Sequence, residues 1–194
     1  MSLPWYEKTD SSAPISQGDI IFSCPIVSWS DDEITPVKWD DNNREFESDL
    51  RKVLADVIVM TQACDLEHNK VKNVLLCPHY SLSSVKEQVL KSQVEKGQNL
   101  TEKAWRRYCE ELKNGFNWNL SLLNPYKDSV PEMEHRVVDF HEVYTVPKRT
   151  LESFVNADKN TRIRLLPPYR EHLSQAFARY FMRVGLPENI TKAW

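Results

Sequence analysis

Two short apolar stretches decide the fold: Val57-Ile-Val-Met-Thr-Gln62 and Val74-Leu-Leu-Cys-Pro-His79. Both are rich in β-branched residues and are apolar at successive positions, which is typical of strands buried on both faces. The segment between them, residues 65–73, is polar, as expected of a hairpin connection. The pattern therefore predicts a β-hairpin in the core of the protein.

Three further stretches have the composition of strands. Residues 19–27 follow a Gln17-Gly18 turn, residues 136–146 end at Pro147, and residues 162–166 alternate so that Arg162 and Arg164 are expected to point outward. The segment between the first strand and the hairpin, residues 30–52, is polar and strongly acidic, which predicts a loop.

Helical patterns occupy two other regions. Ser84 and Glu87 form a capping-box pattern, and Thr101 is a suitable N-cap for a second helix, so residues 84–115 are expected to form a helical hairpin. Residues 168–184 carry apolar side chains at i, i+3 and i+4, which predicts a C-terminal amphipathic helix.

The order of these elements predicts an α+β fold in one domain of 194 residues. Several short strands, a long loop and a closing helix favour a small antiparallel barrel over a doubly wound sheet. The barrel is expected to use residues 17–80 and 136–166, with the helical hairpin as an insertion.

Gln17-Gly-Asp-Ile-Ile-Phe22, followed by Val57-Ile-Val-Met-Thr61, resembles the opening strands of PemK/MazF-like proteins. The resemblance covers less than a third of the chain. It implies an SH3-like barrel from a toxin–antitoxin or defence-type system, with metal-independent endoribonuclease activity on single-stranded RNA. Gly18 and Asp19 match the family's opening turn.

By the same resemblance, Thr61 matches a hydroxyl residue that assists attack of the ribose 2′-OH on phosphate. Arg44 or Arg51 would then contact the phosphate. The loop that carries Arg44 is acidic in this chain, whereas the chemistry requires a cation. The residues therefore leave open whether the protein cleaves RNA, binds it without cleavage, or is a non-catalytic regulator that binds a protein.

The densest group of chemically reactive residue types follows the first hairpin strand and comprises Thr61, Gln62, Cys64 and Asp65. We expect the functional rim there. Cys64 could serve as a nucleophile with His68, His79 or His141 as the base, or it could be a buried structural thiol. The spacing of Cys64, His68, Cys77 and His79 matches no common zinc pattern, so neither a metal nor a cofactor is predicted.

Charge is distributed unevenly around a net value of −3. Residues 1–56 carry 12 acidic and 5 basic side chains, whereas residues 148–194 carry 4 acidic and 9 basic ones. The asymmetry could mark a binding face or could reflect pairing within the molecule. A nucleic-acid track would use Arg149, Arg162, Arg164 and Arg170, with Trp118 or Tyr169 stacking on bases, whereas a protein partner would use the acidic loop or the helical hairpin.

The N-terminal segment lacks the basic and apolar regions of a signal peptide, and no run of 18 apolar residues occurs. We therefore expect a cytoplasmic protein with four reduced cysteines. The sequence does not decide between a monomer and a homodimer.

Overall fold

The computed structural model describes residues 3–29, 50–128, 132–157 and 162–182. These residues form an α+β structure with one eight-stranded antiparallel sheet and five helices. The strands are β1 (Tyr6–Thr9), β2 (Asp19–Trp29), β3 (Leu50–Val59), β4 (Asn73–Ser81), β5 (Leu120–Leu123), β6 (Arg136–Asp139), β7 (Tyr144–Pro147) and β8 (Arg162–Leu165). The helices are α1 (Ala63–Glu67), α2 (Leu82–Glu95), α3 (Glu102–Lys113), α4 (Lys148–Ala157) and α5 (Tyr169–Phe181).

The strand order is β1-β8-β2-β3-β4-β6-β5, and β7 pairs with the first half of β4. Within the described ranges, the outermost strands β1 and β5 do not pair with each other, so the sheet is open. The antiparallel α+β architecture is confirmed, while closure into a barrel is not. Most of the acidic loop predicted over residues 30–52 lies outside the described residues, and its last part, residues 50–52, is the beginning of β3 instead of a loop.

The predicted hairpin is confirmed, since β3 pairs with β4 through Ile58 opposite Cys77 and through the pairs on either side. Short helix α1 occupies part of the connection. Gly18 precedes β2 with a φ of +84°, and a Cβ atom there would lie 3.0 Å from the Leu165 carbonyl oxygen. Glycine at this turn is therefore required both by the backbone conformation and by the close approach of β8.

Strand β4 changes partners along its length. It pairs with β3 from Leu76 to Pro78, and from His79 to Ser81 it pairs with β6. The earlier part of β3 pairs with β2. Residues 53–56 of β3 and residues 79–81 of β4 therefore diverge, and we call this opening the sheet fork.

Apolar side chains fill three clusters around the sheet. α5 covers one face, where Leu173 packs against a cluster that includes Phe140 and Ile58. On the other face, Leu151 of α4 packs with Val57 and its neighbours. The helical hairpin of α2 and α3 covers β5 and β6, packing Val85, Trp105 and Leu112 against Val137.

Several local predictions need correction. The strand expected over 136–146 is interrupted, because residues 140–143 separate β6 from β7 and Phe140 is fully buried. α2 begins three residues earlier than expected, since Ser81 rather than Ser84 is its N-cap and accepts the Ser84 N–H. The outward orientation expected for Arg162 is wrong, because its side chain is only 5% exposed and lies beside buried Asp19.

Thr101 caps α3 as predicted. α5 corresponds to the predicted C-terminal helix up to Phe181, and residues 183–184 lie outside the described part of the chain. Strands β1 and β5 and helix α4 had no counterpart among the predicted elements.

Candidate functional site

The predicted rim is a continuous segment at the end of β3 and in α1. Thr61 Oγ1 accepts a hydrogen bond from the Leu75 N–H at 2.7 Å, which ties the rim to β4. Asp65 lies 3.7 Å from the Lys70 ammonium. The Thr61 hydroxyl is therefore already used in joining two strands.

Cys64 is the exposed member of the four cysteines. Its Sγ lies 3.8 Å from Gln62 Oε1 and 3.7 Å from Asp65 Oδ1. In the described part of the chain its side-chain hydrogen bonds are with these two residues and not with a histidine. The base required by a thiol-dependent mechanism is thus not brought to Cys64 by these contacts.

The arginines expected to serve the rim are not assembled there. Arg44 lies outside the described residues. Arg51 is exposed near the start of β3 and opposite Ser28, ten positions before Thr61. At ~3.3 Å per residue, the strand separates the two by roughly 30 Å. The described structure therefore does not pair Arg51 with Thr61.

Two of the four arginines expected to bind nucleic acid hold a buried carboxylate instead. Arg164 Nε lies 2.5 Å from Asp19 Oδ1, and Arg162 Nε lies 3.4 Å from Asp19 Oδ2. Burial lowers the pKa of Arg162. Burial also acts to lower the pKa of Arg164, but the hydrogen bonds with Asp19 and the charge of that carboxylate together raise it. Arg170 pairs with Glu171 at 2.7 Å, and Arg149 is exposed on α4.

The sheet fork contains a pocket of about 390 Å³. Strands β3 and β4 supply most of its wall, the first turn of α2 supplies Ser84, and β6 and β7 supply one side chain each. Its lining comprises Val53, Leu54, Ala55, Asp56, Pro78, His79, Tyr80, Ser81, Ser84, Arg136 and Tyr144.

Arg136 bridges the two diverging strands. Its Nη2 lies 2.5 Å from Asp56 Oδ2 on β3, and its Nε donates to His79 Nδ1 on β4 at 2.8 Å. A bulge in β2 turns the Ser23 N–H toward the other oxygen of Asp56, at 2.9 Å. The Arg136 guanidinium also lies 5.5 Å from the centre of the Phe22 ring. These contacts fix the position of both the carboxylate and the cation.

His79 is buried and neutral in this arrangement. Burial lowers its pKa well below the ordinary value, the Arg136 guanidinium lowers it further, and the Val57 backbone opposes both only in part. Because Nδ1 accepts from Arg136, the proton of the neutral ring is on Nε2. Nε2 has no hydrogen bond of good geometry within the described residues.

Two tyrosines of the pocket share one carboxylate. The Tyr80 and Tyr144 hydroxyls donate to Glu142 Oε2 at 3.2 and 2.8 Å. Burial and Glu142 raise the pKa of Tyr80 to about 12, and burial and the hydrogen bond with Glu142 also raise that of Tyr144. Both phenols therefore stay protonated and their rings are held in place.

A second surface feature joins the loop after α3 to the last turn of α5. Arg179 donates to the Gly115 carbonyl at 2.7 Å, and its guanidinium lies 4.7 Å from the centre of the Trp118 ring. Trp118 is 45% exposed; Phe116, two positions before it, and Phe181, two positions after Arg179, are 67% and 55% exposed. We call the contact of Arg179 with Trp118, together with these two chain neighbours Phe116 and Phe181, the aromatic–arginine surface.

The sequence indicated only part of these two features. Trp118 was expected to stack on bases, whereas Arg179 was not among the residues predicted to bind nucleic acid. The sequence did not identify four residues of the fork pocket, because they come from four different strands and form no local motif: Asp56, Tyr80, Arg136 and Tyr144. The available signal was the hairpin register, which places His79 next to Asp56 once Val57 is paired with Pro78.

Within the described ranges, no group of three or more His, Cys, Asp or Glu side chains could hold a metal ion. No helix in those ranges has the length and apolarity required to cross a membrane. Comparison of the chain with models of protein families and with curated proteins finds no match.

Proposed function

We propose that this protein binds single-stranded RNA, as a PemK/MazF-like protein of a toxin–antitoxin or defence-type system acting in the cytoplasm. The observation that carries the proposal is the aromatic–arginine surface. Exposed aromatic rings beside a cation suit single-stranded nucleic acid, because bases stack on the rings and a guanidinium attracts phosphate. In this proposal, strands β2, β3 and β4 derive from an SH3-like barrel.

The arrangement of Arg179 and Trp118 supports binding of bases rather than only of phosphates. The guanidinium is fixed by the Gly115 carbonyl and lies over the indole, so cation and ring form one rigid unit. Rigid aromatic side chains lose little conformational entropy when a ligand binds. Trp118 would then contribute stacking, and Arg179 would add charge next to it.

The geometry favours binding over cleavage at the predicted rim. The Thr61 hydroxyl accepts from Leu75, and Arg51 lies at the opposite end of β3. Acid–base catalysis requires its groups within hydrogen-bonding reach of the reacting atoms. We therefore propose an RNA-binding protein whose cleavage activity at Thr61 and Arg51 is absent or residual.

The test is fluorescence anisotropy of a labelled single-stranded RNA at ~50 mM salt, where phosphate contacts are strongest. We expect saturable binding that Trp118→Ala weakens by about tenfold and Trp118→Phe largely retains, because an aromatic ring still stacks. Val27→Ala, which removes an exposed apolar side chain on β2, is the matched control and is expected to bind like the wild type. Equal binding by the wild type and Trp118→Ala would contradict the proposal.

Cleavage is followed in the same samples on a denaturing gel. We expect intact RNA. Accumulation of 2′,3′-cyclic phosphate ends that disappears with Thr61→Val would instead establish the metal-independent nuclease implied by the PemK/MazF resemblance.

A second candidate function is supported by α2. Leu90 and Val94 are 37% and 66% exposed on this helix, and neighbouring apolar side chains on a helix can form a protein-binding surface. In this alternative the protein is a regulatory module that binds a protein partner through the helical hairpin. Size measurement by light scattering separates a homodimer from a monomer, and Val94→Glu should abolish self-association if α2 forms the interface.

A further inference from the structure

We propose that the pocket in the sheet fork binds a single nucleobase, with Asp56 accepting hydrogen bonds from the edge of the base. This inference rests on the proposed RNA-binding function and specifies how the protein would distinguish one base from another. The observations on the fork pocket are nevertheless independent of those on the aromatic–arginine surface, since the two features share no residue.

The size of the pocket suits a small ligand. Its volume of about 390 Å³ is near the lower end of the range of about 300–1,000 Å³ for small-molecule sites. The lining combines four apolar side chains, two tyrosine rings and several polar groups, so a planar ligand could contact rings with its faces and polar groups with its edge.

The charges argue against phosphate as the recognised group. The cation of Arg136 is already paired with Asp56, and Glu142 places a second carboxylate behind the tyrosines. His79 adds no positive charge, because its ring is neutral. The charged groups that make up and support the pocket thus sum to a negative value, which repels a dianion and tolerates a neutral heterocycle.

Asp56 is the group with unused hydrogen-bonding capacity. Each of its oxygens accepts one hydrogen bond, from Ser23 and from Arg136, and a carboxylate has about four acceptor positions. Its side chain remains 31% exposed at the pocket. It can therefore accept N–H groups from a ligand without breaking either contact.

This acceptor predicts a preference among the bases. Guanine presents a ring N–H and an amino group side by side on its Watson–Crick edge, whereas uracil presents one ring N–H. A carboxylate accepts both guanine donors at once. We therefore expect guanosine to bind best and uridine least, with a tyrosine ring supplying stacking.

The experiment is calorimetric titration of the full chain with the four ribonucleosides and with ribose 5-phosphate, which carries phosphate but no base. We expect heat of binding from guanosine and none from ribose 5-phosphate. Asp56→Asn should weaken guanosine binding by about tenfold or more, because a hydrogen bond to a charged acceptor is lost. Tyr144→Leu should weaken it as well, and exposed Asp128→Asn is the matched control.

Thermal melting of each variant shows whether it is folded. Should Asp56→Asn fail to fold, the pair Tyr144→Phe and Tyr144→Leu provides a second test, because the first keeps the stacking ring and should retain guanosine binding. Binding of ribose 5-phosphate as strong as that of guanosine, or no binding of any nucleoside, would overturn the inference. RNA binding that depends on Trp118 but occurs without nucleoside binding would overturn this inference alone. Guanosine binding without any RNA binding would support the pocket and contradict the proposed function.

Discussion

Arg164 Nε lies 2.5 Å from Asp19 Oδ1, and the Asp19 side chain is completely buried. Asp19 also contacts Arg162, and the Ser16 N–H donates to its Oδ2 at 3.0 Å. The carboxylate of Asp19, at the start of β2, is thus paired with two arginines of β8. Part of the charge asymmetry seen in the sequence is therefore pairing within the molecule.

We predict that Asp19→Asn lowers the free energy of unfolding by about 3 kcal/mol or more, because two largely buried guanidinium groups lose their counter-charge. Urea denaturation followed by circular dichroism measures the change. Asp128→Asn removes an exposed carboxylate and should change stability by less than about 0.5 kcal/mol. A similar small effect for both variants would show that the Asp19 cluster does not stabilise the fold.

Thr61 gives a second prediction, which concerns stability. Thr61→Val keeps the shape of the side chain but leaves the Leu75 N–H without its acceptor, so it should cost about 1–3 kcal/mol. Thr61→Ser retains the hydroxyl and should cost less. Equal losses for the two variants, measured by urea denaturation, would point to packing of the methyl group instead of the hydrogen bond.

The third prediction concerns pH. His79 has a pKa well below its unfolded value of about 6.5, so below pH ~6.5 the unfolded chain binds a proton that the folded chain does not. The ionisation of His79 therefore leaves the free energy of unfolding unchanged above pH ~6.5. As the pH falls from there toward the pKa of the folded state, the free energy of unfolding decreases by up to about 1.4 kcal/mol per pH unit.

His79→Gln should remove that part of the slope. The measurement is urea denaturation of both proteins at several values between pH 7 and 5, where the ionisation of histidine dominates. Parallel profiles for the wild type and the variant would show that His79 binds its proton equally well in the folded and the unfolded protein.

The fourth prediction concerns the thiols. Burial raises the pKa of Cys24 to about 11 and that of Cys77 to about 12, whereas Cys64 is exposed. A maleimide should therefore label Cys64 rapidly in the native protein and reach Cys24 and Cys77 only after unfolding. Peptide mass spectrometry identifies the labelled sites, and Cys64→Ser should lack the rapid phase. Rapid labelling of Cys77 would contradict the burial of β4.

The sequence was informative where structure follows from neighbouring residues. The β3–β4 hairpin, the Thr101 cap of α3 and most of α5 were predictable, because hydrophobic period and capping are local signals. β1 and β5 were not predictable, because four residues carry little periodicity, and β1 in addition is defined by pairing with the distant strand β8. Helix α4 directly follows Pro147 and had no predicted counterpart, although Leu151 and Val155 are spaced as on one helix face and are both buried.

The candidate sites show the same difference between local signals and contacts of distant residues. Trp118 was identified from residue type alone, but the contact that makes it notable is with Arg179, 61 positions away. Arg136 lies 80 positions from Asp56 and 57 from His79, so the fork pocket exists only after the strands have paired. Registers between distant strands are not encoded in any short stretch of sequence, and for that reason the pocket was missed.

The pairing of β1 and β2 with β8 has a consequence for synthesis of the protein. Strand β1 is synthesised more than 150 residues before β8, the strand with which it pairs. Until Arg162 and Arg164 emerge, the nascent chain holds Asp19 without either of its arginines. Strands β1 and β2 therefore cannot complete their pairing until β8 has been synthesised. We expect that a chaperone bound before residue 162 is synthesised changes the yield of native protein more than one bound afterwards, and that the same holds for a pause in translation.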